Sequence, residues 1–106
     1  MITLSIRYTL DANKLAEFEA YARALPRQIE RCGGRFVGYY LPTKLAGPTN
    51  TALGLIDFPS LAAYEQYRAR LAADSEASEN LRRAEVARCI LNEERSFLRA
   101  LPGPES

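Results

Sequence analysis

Ile2, Leu4, Ile6, Tyr8 and Leu10 alternate with Thr3, Ser5, Arg7 and Thr9. A period of two belongs to a strand with one apolar and one polar face, so the chain is expected to open with a strand. Asp11 and Asn13 then offer side-chain oxygens to unpaired amides, and a helix is expected from about Lys14. Leu15, Phe18, Ala22, Leu25, Ile29 and Cys32 recur by threes and fours along one face of that helix. Pro26 lies inside the run, where it removes a backbone donor and crowds the preceding turn; a kink is expected there rather than two helices. Gly33-Gly34 closes the helix, because a left-handed cap costs glycine little.

Residues 35–41 are rich in β-formers (Phe36, Val37, Tyr39, Tyr40) and predict a second strand. A polar loop over 42–50 is longer than a tight hairpin turn, long enough to move or cover something. Residues 51–58 predict a third strand, ended by Pro59-Ser60, and the Ser60 hydroxyl is placed to cap a helix from Leu61 to about Ala73. Asp74-Ser75 restarts the chain into a second helical stretch carrying Ala77, Leu81, Ala84 and Arg88, with Glu79–Arg83 and Glu85–Arg88 as favourable helical pairs. Residues 89–98 read as the last strand. The whole is one domain over 1–100, with a Pro- and Gly-containing tail over 101–106.

The order β-α-β-β-α-β is the ferredoxin-like split βαβ, an α+β fold with an antiparallel sheet and both crossovers on one face. The other face is not uniformly polar. On the third strand Leu53 and Leu55 point one way while Ala52, Ile56 and Phe58 point the other; on the second, Phe36 and Tyr40 are expected opposite Val37, Tyr39 and Leu41. A strand apolar on both sides is covered on both sides, and with no spare helix the expected cover is a second copy, sheet against sheet, in a twofold homodimer. Thr3, Ser5, Arg7 and Thr9 would then face an enclosed lumen. There an arginine requires water or a paired anion, and one small organic ligand is the expected occupant.

Composition narrows the chemistry. The 106 residues carry 14 basic and 13 acidic side chains, so no net field recruits nucleic acid or an anionic membrane. Histidine is absent, which excludes a histidine triad, a histidine general base and a proximal haem histidine. Cys32 and Cys89 form no CxxC pair and read as small buried hydrophobes. Neither a metal-ligand cluster nor a phosphate-binding glycine loop is recognisable, and no cofactor is expected. Met1 opens straight into alternating structure without a signal pattern, and no apolar run approaches the roughly 18–20 residues of a membrane span. A cytoplasmic location with reduced thiols is the expectation.

Glu93 and Glu94 are strand neighbours and point to opposite faces. Glu94 is expected on the lumen face with Ile90 and Leu98, within reach of Arg7. The two form a network positioning strands or subunits, a pair for ligand binding or proton transfer, or simply solvated charges. Tyr39 and Tyr40 also point to opposite faces, so one of them can enter the lumen, with interface or core packing as the alternative reading. Arg23, Arg27, Arg31 and Arg35 recur at fours but are interrupted by Glu19 and Glu30, as on a solvated helix face. Asp57 beside Phe58-Pro59-Ser60 reads as local turn or helix-start chemistry.

The segments Leu4 to Tyr8, Gly33-Gly34, Gly38-Tyr39-Tyr40-Leu41-Pro42, Phe58-Pro59-Ser60-Leu61-Ala62-Ala63-Tyr64-Glu65 and Glu94-Arg95-Ser96-Phe97-Leu98-Arg99 together resemble bacterial members of the NIPSNAP family, within the dimeric α+β barrel superfamily. The resemblance implies a ferredoxin-like protomer paired sheet to sheet. It also implies kinship of fold with cofactor-independent monooxygenases, haem-degrading enzymes and muconolactone isomerases; haem-binding relatives typically use a histidine that this chain lacks. The expected function is small-molecule binding in the lumen by Arg7, Tyr39, Tyr40 and Glu94. Arg7 would bind a carboxylate or polarise a carbonyl, and Glu94 would hold it or exchange a proton. The alternatives are a cofactor-independent monooxygenase or isomerase, and a non-enzymatic accessory protein whose lumen is packed.

Overall fold

In the computed structural model, which describes residues 1–104, the elements run β1 (Ile2–Leu10), α1 (Leu15–Arg31), β2 (Arg35–Tyr40), β3 (Thr51–Phe58), α2 (Leu61–Ala73), α3 (Ser75–Ala87) and β4 (Ile90–Leu98). The four strands form one sheet in the order β2-β3-β1-β4, antiparallel throughout. This is the split βαβ topology expected from the element order. No helix of the described residues is long and apolar enough to cross a membrane. Of the tail, 101–104 form neither helix nor strand, and 105–106 lie outside the described residues.

One face of the sheet makes the core. Leu4, Ile6, Tyr8, Leu10, Ala52, Ile56 and Phe58 are buried against Phe18, Ala22, Leu25 and Ile29 of α1. The helix starts use the chemistry expected: the Ser60 hydroxyl accepts from the Ala63 amide at 3.1 Å, and the Asp74 carboxylate accepts from the Ala77 amide at 3.0 Å. Asp11 accepts from the Asn13 amide, but no side chain caps α1 itself. Pro26 sits within a single continuous α1. Cys32 and Cys89 are free and buried.

Several expectations are corrected. Pairing of β2 with β3 slips by one residue between Phe36 and Gly38, so Val37 is a bulge. Phe36 and Tyr39 therefore share the helix-side face, their rings 5.4 Å apart, while Tyr40 points the other way. A second slip, between Thr9 and Leu10, puts Ile90 opposite Leu10 on the helix side, so it does not share a face with Glu94 and Leu98. Both shifts add one unpaired residue, which reverses every side chain beyond it. Asp57 serves neither turn nor helix start; its carboxylate accepts from the Thr3 hydroxyl across the strand pair. Glu79 pairs with both Arg82 and Arg83, whereas Glu85 and Arg88 form no ion pair among the described residues. Arg88 takes a left-handed conformation (φ 57°, ψ 39°) that ends α3.

Candidate functional site

Between the helix-side face of the sheet and the helices lies a cleft of about 770 Å³. Its floor is Leu4, Ile6 and Tyr8 of β1 with Ile56 of β3; Tyr21 and Leu25 of α1, Tyr67 and Leu71 of α2, and Ala77 and Ala84 of α3 form its walls. Strand β4 borders it with Leu91, Glu93 and Arg95, which are exposed, so the cleft opens along this edge of the sheet. The small side chains of Ala77 and Ala84 on the buried stripe of α3 leave room that leucines would fill.

Four tyrosines turn towards this space. Tyr39, Gly54, Ile6 and Arg95 lie in one row across the sheet, and the Tyr39 ring occupies the volume that a side chain at position 54 would take. The Tyr39 and Tyr8 hydroxyls lie 3.5 Å apart, at the long edge of hydrogen bonding. Tyr67 packs on Phe58 with centroids 4.9 Å apart, and Tyr21 lies 5.9 Å from Phe18. The Tyr21 and Tyr67 side chains are largely buried (residue exposure 8% and 3%), yet their hydroxyls bond to no atom of the described residues. Nor are those hydroxyls sealed in: among the described residues the one buried side-chain oxygen or nitrogen without a partner belongs to Gln28. They are open to solvent in the cleft.

Burial pushes the phenols of Tyr8, Tyr21 and Tyr39 well above the ordinary tyrosine value, and that of Tyr67 up to about 12. All four are neutral hydrogen-bonding groups at physiological pH. At the mouth, Arg95 lies 3.4 Å from Glu93 on the same strand face. Burial works against the Arg95 charge, but the Glu93 carboxylate, with help from Tyr64 and Tyr8, outweighs it and holds the guanidinium above its usual range. Arg68 donates to the Tyr64 hydroxyl at 2.8 Å.

The four residues singled out from sequence do not converge. Tyr39 lines the cleft. Tyr40, Arg7 and Glu94 lie on the opposite, uncovered face, in a row completed by Leu53. Arg7 and Glu94 are direct cross-strand partners and both exposed, but no ion pair joins them among the described residues. Sequence reasoning missed Tyr8, Tyr21, Tyr67, Glu93, Arg95 and Arg88. The signal was present: Glu93 and Arg95 stand at positions of β4 whose partners, Tyr8 and Ile6, are core, and charged groups there imply an uncovered strand beside a space. No group of three or more His, Cys, Asp or Glu among the described residues is arranged to hold a metal ion.

The NIPSNAP family model matches residues 4–103. A NIPSNAP family protein with unknown function from Agrobacterium tumefaciens is similar at 23% identity, over 98% of this chain and 92% of that one, with a TM-score of 0.83. An uncharacterised NIPSNAP domain protein from Burkholderia xenovorans is 21% identical over 100% of this chain and 98% of its own, with a TM-score of 0.77. SnoaB, a cofactor-independent oxygenase from Streptomyces nogalater, shares 16% identity over 99% and 97% of the two chains, with a TM-score of 0.69. These likenesses show the fold, a ferredoxin-like α+β protomer. No curated protein matches the sequence.

Proposed function

The chain belongs to the NIPSNAP family, and from that premise we propose that it binds a small organic molecule in the cleft between sheet and helices. The observation that carries this reading is the pair of unpartnered phenols, Tyr21 and Tyr67, opening into a space of about 770 Å³. Sites for small ligands are mostly apolar cavities of roughly 300–1,000 Å³ with a few placed polar groups, and the cleft has that make-up. The protein works as a homodimer joined through the uncovered sheet face, where Leu53 and Leu55 are only half-buried and Tyr40 and Leu98 are exposed. Two free, buried thiols support a reducing compartment, the cytoplasm.

A second reading puts the ligand between two sheets, at Tyr40, Arg7 and Glu94. What favours it is that Arg7 and Glu94 face each other across the strands without pairing, so each keeps its capacity for a partner. The fold shared with the S. nogalater oxygenase allows a catalytic version of the cleft reading, in which Glu93 moves a proton on the bound molecule.

The chain has no tryptophan and four of its six tyrosines line the cleft, so most of its tyrosine fluorescence reports on that space. Titration with small aromatic and aliphatic acids should change that emission. Tyr67→Phe should weaken binding while Arg7→Ala leaves it unaltered; the reverse order moves the ligand to the sheet face, and no response from any acid removes the ligand altogether.

A further inference from the structure

The charged groups around the cleft are unequal in number. Arg68, Arg88 and Arg95 line it against Glu85 and Glu93. Arg95 is engaged by Glu93, and Arg68 leans on Tyr64, with its guanidinium carbon 5.8 Å from the ring centroid. Among the described residues neither Arg88 nor Arg68 has a carboxylate within ion-pair distance and Glu85 has no cation, so two free guanidiniums face one free carboxylate. The backbone singles out Arg88. Arg88 is the one non-glycine residue of the described chain at positive φ, and it stands where a helix commonly ends on glycine. A left-handed backbone is less favourable for an arginine than for glycine.

The interior adds no negative charge, since its phenols stay protonated. They offer hydrogen bonds to an oxygen acceptor, and their rings offer an apolar wall. A cation would meet an excess of guanidinium, and a neutral apolar molecule would leave Arg88 and the phenols unused.

We propose that the cleft selects an organic anion: a flat carboxylic acid whose apolar body enters among Tyr8, Tyr21, Tyr39 and Tyr67 and whose carboxylate meets Arg88 at the mouth. This rests on the cleft being the ligand site, as proposed above. Guanidinium binds a carboxylate through two parallel charge-assisted hydrogen bonds, which gives the anion a fixed orientation as well as affinity.

The test is calorimetry on the full chain with three probes of one shape: naphthalene-2-carboxylate, naphthalene-2-carboxamide and (naphthalen-2-yl)methylammonium. The acid should bind about tenfold or more tighter than the amide, as expected for one charge-assisted pair, and the ammonium weakest of all. Raising the salt concentration should narrow the gap between acid and amide. Arg88→Gly is the informative variant, because glycine relieves the left-handed backbone. Its Tm should hold or rise while the preference for acid over amide disappears, a combination that loss of a merely structural arginine does not produce. Acid and amide binding alike, or an Arg88→Gly protein that keeps the preference, overturns the anion proposal and leaves the cleft reading standing. A cleft filled by Ala84→Phe that still binds the acid, or a wild-type chain that binds none of the probes at millimolar concentration, overturns both.

Discussion

The ring of Tyr39 lies where a side chain at Gly54 would stand: a β-carbon there would be 2.5 Å from Tyr39 Cε1. The two are register partners on adjacent strands, and the missing side chain lets the tyrosine lie down over β3 and bring its hydroxyl to Tyr8. Gly54→Ala is therefore expected to lift the ring into the cleft, destabilising the fold by about 1–3 kcal/mol as overpacking does. In a Tyr39→Ala background the same change should be neutral or better, since alanine suits a strand more than glycine. Urea unfolding of the four proteins of this cycle measures the coupling; additive effects would contradict the geometry.

The uncovered sheet face makes a separate prediction. Leu55 pairs with Gly38 and Ser5, away from the core. Leu55→Arg should leave the protomer folded but weaken the proposed self-association on the scale of an interface hot spot, about 2 kcal/mol or more. Sedimentation should then show a dimer for the wild type and a monomer for the variant at the same concentration. Identical behaviour would free this face of that role.

The four buried phenols make stability fall at high pH. Each has its folded-state pKa raised above the ordinary value of 10.0, so above that pH the unfolded chain gives up protons that the folded chain keeps. Stability is full below pH 10.0 and declines as pH rises, by roughly 1.4 kcal/mol per unit for each group until its folded value is passed. For Tyr67 the decline ends near about 12. Unfolding midpoints measured from below to above pH 10.0 should drop, and a midpoint that stays constant would contradict the burial of these phenols.

Asp74 contributes on the acid side. Its carboxylate accepts the Ala77 amide at the start of α3 and two Arg31 donors at 2.9 Å, which together hold it below the usual carboxylate range. The stability it supplies is present above that range and lost as pH falls through its folded value. Thermal melts of Asp74→Ala should lie below those of the wild type at neutral pH, and the two should converge in acid. A constant gap at every pH would remove the carboxylate charge from the account.

How much of this was legible in the sequence depends on how far apart the deciding residues lie along the chain. The alternation from Ile2 to Leu10, the Ser60 and Asp74 caps and the apolar stripe of α1 are local, set by dihedral preference and by unpaired amides within a few residues. Together with the β-rich runs over 35–41, 51–58 and 89–98 they placed the elements within a residue or two, and the element order pointed to the split βαβ topology that the sheet adopts. The bulges at Val37 and Leu91 were not legible, because a register slip depends on the partner strand, and each slip reverses which side chains share a face. That is why Tyr39 joined the cleft while Tyr40 kept company with Arg7 and Glu94. The cleft itself belongs wholly to tertiary structure. It exists because three helices cover a four-stranded sheet incompletely and leave the middle of β4, from Leu91 to Arg95, uncovered, and that mismatch of areas is a property of the packed layers, not of any segment of sequence.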